Sequence, residues 1–238
     1  MSQPSCYGCR HLFAKSIVLL FAFRGRSNNK TITSIASPHP PHHFLHHAPI
    51  SSKYMSLLPS TLSDITYHAM REIWKRTPNE FQQEAIPRLL MMRCAPNVPQ
   101  ALLLVQGTGG GKSAVAHTVG VVDCGVTLVI EKLLAVATDQ KSKVRTASNE
   151  YGPVLAYQLD SLKNPLLISK LQTKLLDMNK TSNTTIFIYS SPECLMRQPW
   201  RTLIIRLINN GVLKLVCVDE IHLYVMFGLT FRKEFMTL

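Results

Sequence analysis

The chain has 238 residues, 46% of them hydrophobic, enough for one α/β domain of ordinary size and an additional segment. Its formal net charge of +12 points to a polyanionic partner, most often nucleic acid. Six scattered cysteines without disulfide-like spacing exclude a disulfide-stapled fold and indicate a reducing compartment.

The first 60 residues differ from the rest. Residues 1–63 carry six Lys/Arg and no acid, whereas the remainder carries 20 basic against 14 acidic residues and is basic in its own right. Residues 16–23 (SIVLLFAF) are apolar but far too short to span a bilayer, and they read as a weak signal or transit-like segment. Cys6-x-x-Cys9 is either half a zinc site or an incidental pair. Residues 37–49 (SPHPPHHFLHHAP) offer His42, His43, His46 and His47 to a metal, or form a Pro-broken linker. Residues 1–60 are therefore expected to be a disordered basic, His/Pro-rich arm outside the fold, and residues 61–238 the folded domain.

From residue 61 the pattern becomes regular. Ser63 or Asp64 can cap a helix over 65–75, and a second helix over 81–92 follows Thr77-Pro78. Buried-type strands are predicted at 101–105, 126–130, 154–157, 185–189 and 213–218. Helix-length segments at 112–121, 132–147, 161–178 and 192–209 lie between them. Apolar strands alternating with helices give an α/β fold with a mostly parallel sheet and helices on both faces. No internal repeat is apparent.

Two motifs carry chemistry. The first is TGGGKS, residues 108–113, between a strand and a helix. Its glycines let backbone N–H groups face a phosphate at the start of the helix. Lys112 supplies a point charge for the β/γ-phosphates and Ser113 a hydroxyl for Mg²⁺. Gln106 stands where the phosphate-loop pattern has its first glycine. The second motif is LKLVCVDEIHLY, residues 213–224, where a buried strand ends in Asp219 and Glu220. Ligands bind at that carboxyl edge in open α/β folds. Asp219 suits Mg²⁺ through its water shell, Glu220 suits orientation and deprotonation of a water, and His222 can link the site to whatever moves. His117, one turn into the loop's helix, reads as a packed or surface histidine, and Trp74 and Trp200 as packing residues.

The sequence VDEIHL resembles the DExH box of superfamily 2 helicases, and TGGGKS resembles their motif I, in which the leading glycine is not obligatory. FGLTFRKEF, residues 227–235, is similar to the aromatic-rich phrase of RecQ-type DNA helicases, with Phe227 in the Trp position. EFQQEAIP, residues 80–87, resembles the upstream glutamine motif, whose Gln recognises adenine; Gln82 fits best, with Gln83 as the other register. LLAVATDQKSKV, residues 133–144, looks like motif Ia, and YSSPECL, residues 189–195, like the Ser/Thr-Pro-Glu motif on the DNA-binding face. Order and spacing agree over residues 77–238. The resemblance implies a RecA-like lobe that binds ATP and Mg²⁺, works on single-stranded or forked DNA in the 3′–5′ direction, and resides in the nucleus, with a mitochondrial address also open.

By that resemblance Thr108, Gly109, Gly110, Gly111, Lys112 and Ser113 hold ATP with Gln82; Ser113 and Asp219 hold Mg²⁺; and Lys112, Asp219, Glu220 and His222 are catalytic. Asp139, Gln140, Ser191, Tyr224, Phe227 and Arg232 become DNA contacts, although Tyr224 and Phe227 serve equally as core or lobe-interface aromatics. The chain departs from the family where Glu131-Lys132 replaces the usual opening of motif Ia, since an acid is unfavourable beside a DNA backbone. It also ends at Leu238, before the second lobe and its arginine finger, so slow or absent hydrolysis and no unwinding by this chain alone are expected. A non-enzymatic nucleic-acid-binding relic with a vestigial ATP site is the competing reading. A transporter-type or AAA ATPase lacks any supporting motif.

Overall fold

The computed structural model of the chain describes residues 15–22, 62–94, 100–107, 109–131, 134–145, 151–178 and 183–221. Among these are six strands: β1 Lys15–Ala22, β2 Gln100–Gly107, β3 Gly125–Ile130, β4 Val154–Gln158, β5 Thr185–Ser190 and β6 Leu213–Val218. The helices are α1 Leu62–Trp74, α2 Glu80–Cys94, α3 Lys112–Asp123, α4 Leu134–Arg145, α5 Pro165–Leu176, α6 Pro192–Leu195 and α7 Trp200–Asn209.

The strands form one sheet in the order β2-β1-β6-β3-β5-β4. β6, β3, β5 and β4 pair in parallel, as expected for buried apolar strands joined by helical crossovers. β1 runs antiparallel to both of its neighbours, pairing Leu19 with Leu103 on one side and with Val218 on the other. Residues 15–22 therefore lie in the sheet, within the stretch 1–60 expected outside the fold, whose other residues lie outside the described ones. The apolar run KSIVLLFA, residues 15–22, is too short for a membrane but the right length for a strand, and its backbone fills the gap between β2 and β6. No helix among the described residues is long and apolar enough to cross a membrane.

Two apolar layers sandwich the sheet. One packs α1, α2, α3 and α4 through Ile65, Met70, Ile86, Leu89, Val115, Val119, Ala137 and Val144 against Phe187, Tyr189, Leu215 and Cys217. The other packs α5 and α7 through Leu171, Leu175, Trp200, Leu203 and Leu207 against Val126, Leu128, Ile186 and Ile188. Alternation along β5 sends Phe187 and Tyr189 to the first layer and Ile186 and Ile188 to the second. Each such fully buried side chain contributes roughly 1.5–3 kcal/mol of transfer free energy.

Local chemistry sets the helix ends. Leu159–Ser161 forms a 3₁₀ turn, and α5 begins only at Pro165 because the Asn164 side chain accepts from the Leu166 N–H and proline suits the first helical turn. The segment predicted as one helix over 192–209 is two helices, α6 and α7, separated around Pro199. In α3, Gly120 allows close approach to the sheet, since a Cβ there would lie 2.6 Å from Thr127 Oγ1 and 2.8 Å from Phe187 Cζ.

Candidate functional site

The carboxyl ends of β2, β3 and β6 bring the two motifs together. The glycine loop leaves β2 and enters α3 at Lys112, with Gly109 at φ +78° and Gly111 at φ +85°. Both lie in the left-handed region, which glycine enters without a Cβ penalty, and such turns direct successive N–H groups to one side. The loop is tightened by a bond from Gly110 N–H to Gly107 O at 3.0 Å. Gln106 closes it from behind: its Oε1 accepts from Gly107 N–H at 3.1 Å, and a Cβ on Gly110 would lie 2.3 Å from its Cγ. The residue that breaks the sequence pattern is thus the loop's own support.

Lys112 is 6% exposed and folds onto the loop, donating to Gln106 O at 3.0 Å and Gly107 O at 2.9 Å. Burial lowers its pKa, while the negative charges of Asp219 and Glu220 hold it up. Asp219 ends β6 and is anchored by its N–H to Ile130 O at 3.0 Å. Its Oδ1 accepts from Glu220 N–H at 2.8 Å. Glu220 adopts φ +51°, an unfavourable conformation for a residue with a Cβ, and such strain concentrates at functional sites.

Gln82 also lies at the loop. It forms a capping box with Asn79: Asn79 Oδ1 accepts from Gln82 N–H at 2.9 Å and Gln82 Oε1 accepts from Asn79 N–H at 3.1 Å. Its Nε2 donates to Gly111 O at 3.2 Å, and a Cβ on Gly111 would lie 2.3 Å from that nitrogen. Gln83 is spent on Pro78 O at 2.9 Å.

Two residues behind the loop were not anticipated in this role. Glu131, at the carboxyl end of β3, is 3% exposed and follows Ile130, whose carbonyl accepts from the Asp219 N–H. Burial and the facing Asp219 push its carboxyl far above the ordinary range, and burial raises Asp219 as well. Gln140 of α4 is 7% exposed, and its Nε2 donates to Glu131 Oε1 at 2.6 Å and faces Ser113 Oγ at 3.5 Å. Gln140, expected at DNA, is buried with its carboxamide turned inward onto Glu131 and Ser113. Likewise, the acid expected to trouble a DNA contact is buried against Asp219 instead. The inward set Ala137, Gln140 and Val144 has helical spacing, so the burial of Gln140 was visible in the pattern.

The remaining expected DNA contacts are divided. Asp139 is exposed and ion-pairs with Lys143 at 2.5 Å. Ser191 caps α6 and is held by Asp160, which accepts from its N–H at 2.9 Å and its hydroxyl at 2.5 Å. His117 is packed, as expected, among Trp74, Phe187 and Tyr189, with Nε2 3.0 Å from Tyr189 Oη. Thr108, His222, Tyr224, Phe227 and Arg232 lie outside the described residues, as do the Cys6/Cys9 pair and the histidine-rich run. Among the described residues no His, Cys, Asp and Glu cluster of three suits a metal ion.

The residues present fit a nucleoside triphosphate with Mg²⁺. The left-handed glycines suit a turn whose N–H groups face a phosphate, the buried ammonium of Lys112 is held by two carbonyls of that loop, and the negative charges of Asp219 and Glu220 act on it from the next motif.

No family model matches the chain. Among curated proteins it is 26% identical over 131 residues to the ATP-dependent DNA helicase Q5 of Rattus norvegicus, which covers 55% of this chain and 13% of that protein. It is 25% identical over the same length to the mouse (Mus musculus) helicase of that name. It is 28% identical over 173 residues to the ATP-dependent DNA helicase RecQ of Synechocystis sp., covering 71% of this chain and 32% of that protein. The chain therefore spans a third or less of the relatives it matches. These homologues are RecQ-family ATP-dependent DNA helicases, and the chain is similar, at modest identity, to a partial helicase region of them.

Proposed function

We propose that the chain is the ATP-binding motor lobe of a RecQ-like DNA helicase, working on DNA in the nucleus. The observation that carries this reading is the convergence of Lys112, Asp219 and Glu220 under a loop built from left-handed glycines. Mg-ATP, when bound, supplies the γ-phosphoryl group and the cation that offsets its charge. Lys112 would meet the β/γ-phosphates, Ser113 and Asp219 would hold Mg²⁺, Glu220 would orient the attacking water, and Gln82 would recognise adenine. Asp139 and Ser191, with Tyr224, Phe227 and Arg232, are assigned to DNA and His222 to coupling on the strength of the motif resemblance. An arginine finger meeting the transition-state charge would add roughly 10³-fold or more in rate.

The test is titration of the chain with a fluorescent ATP analogue in Mg²⁺. Lys112→Ala should weaken binding at least about tenfold, the loss of one charge-assisted contact. A wild-type chain that binds no nucleotide refutes the reading. DNA binding is checked by anisotropy of a labelled single strand, where affinity should fall steeply with salt.

A further inference from the structure

The buried polar groups behind the loop form a connected set that nucleotide chemistry alone does not require. Gln140 reaches in from α4 and touches both halves of the site. Its Nε2 donates to Glu131 Oε1 at 2.6 Å and lies 3.5 Å from Ser113 Oγ. Glu131 follows Ile130, whose carbonyl accepts from the Asp219 N–H at 3.0 Å, so the two carboxyls stand at neighbouring ends of β3 and β6. His117 of α3, buried as well, places its Nε2 3.0 Å from Tyr189 Oη. Gln140, Glu131 and His117 are all under a tenth exposed, so their partners are set by the fold rather than by water. The opposite face of α4 is open, with Val136 and the Asp139–Lys143 pair at the surface.

We propose that Gln140, held by Glu131, is a positioning residue that fixes the Ser113 hydroxyl and the Asp219 carboxylate relative to one another for a divalent cation. The inference rests on the reading of this site as a Mg-nucleotide site. Ser113 lies at the start of α3 and Asp219 at the end of β6, and these elements approach the cation from different motifs. A side chain that reaches Ser113 directly and the neighbourhood of Asp219 through Glu131 sets their separation. It also ties that separation to α4, so a displacement of the helix reaches the cation site through one carboxamide. Groups that orient metal ligands from behind typically govern 10–100-fold in metal affinity.

The experiment measures affinity for the fluorescent ATP analogue with Mg²⁺ and in EDTA, on the 238-residue chain. Gln140→Ala and Glu131→Ala are each expected to weaken Mg²⁺-dependent binding about tenfold or more. Both should leave the EDTA affinity, carried by Lys112 and the loop N–H groups, within about twofold. The double variant should be no worse than either single one, because the two residues act as a unit. Glu131→Gln keeps an acceptor for Gln140 and a polar group for Asp219, and should bind as wild type. Equal losses with and without Mg²⁺ would mean that Gln140 merely supports the fold, and unchanged Mg²⁺-dependent binding would mean that it positions nothing. Either result overturns the inference while the site reading stands. A wild-type chain that binds no Mg-nucleotide removes both.

Discussion

His117 offers a sharp test of the described packing. Its ring is 3% exposed and surrounded by Trp74, Phe187 and Tyr189. Burial lowers its pKa from 6.5 to about 4, because the apolar cage cannot solvate an imidazolium; the Gln140 hydrogen bond opposes the shift and Lys143 adds to it. Between pH 6.5 and about 4 the unfolded chain therefore binds a proton that the fold refuses. Stability from this residue is complete above pH 6.5 and is lost as the pH falls. With these two pKa values the loss at pH 5 relative to pH 8 is about 2 kcal/mol. The perturbation is His117→Gln, which keeps a polar partner near Tyr189 and cannot titrate. Urea unfolding followed by tryptophan fluorescence at pH 8 and pH 5 reads the difference. Other groups titrate in this range, so the quantity of interest is the gap between wild type and variant. That gap should narrow by about 2 kcal/mol on acidification. Parallel pH profiles for the two proteins would refute the argument.

Gly120→Val should destabilise the chain by at least about 2 kcal/mol in the same urea assay, since the new Cβ meets Thr127 and Phe187 in a close-packed layer. A neutral result would place α3 farther from the sheet. Asp160→Ala strips Ser191 of the acceptor for both its N–H and its hydroxyl, and should cost about 1–3 kcal/mol by thermal unfolding. Asp160→Asn should recover part of that loss. Gly111→Ala forces φ +85° on a residue with a Cβ and presses on Gln82, so it should weaken nucleotide binding as well as stability, with a backbone cost of roughly 1–2 kcal/mol. Calorimetry and the fluorescent titration, run on the same sample, check both effects.

Periodicity made most of the fold legible. Strands such as residues 126–130 and 213–218 are apolar on both faces, and that pattern belongs to strands covered on both sides. The candidate site was legible where chemistry depends on local spacing, as in Gly109 to Ser113 and Asp219-Glu220. It was not legible where partners are distant in sequence. Glu131 looked like a flaw in a DNA contact because nothing in its neighbours announces Asp219, 88 positions later, across the β3–β6 pair. Gln140 was assigned outward from a motif likeness, although the spacing of Ala137, Gln140 and Val144 already put it on the inner face. Residues 15–22 were missed for a related reason. An isolated apolar run does not state its neighbours, and both of its pairing partners lie far downstream.

That strand also bears on how the protein is made. β2 carries the glycine loop and β6 carries Asp219, yet neither hydrogen-bonds to the other; each bonds to β1. Of the described strands β1 is made first, and it waits nearly two hundred residues for its second partner. At ordinary elongation rates that is roughly 10–40 s. Throughout that interval a short, apolar strand presents one open backbone edge, the kind of edge that recruits other chains. Yield on overexpression should therefore depend on how fast residues 213–218 follow residues 15–22, and on whether a chaperone holds that edge in the meantime.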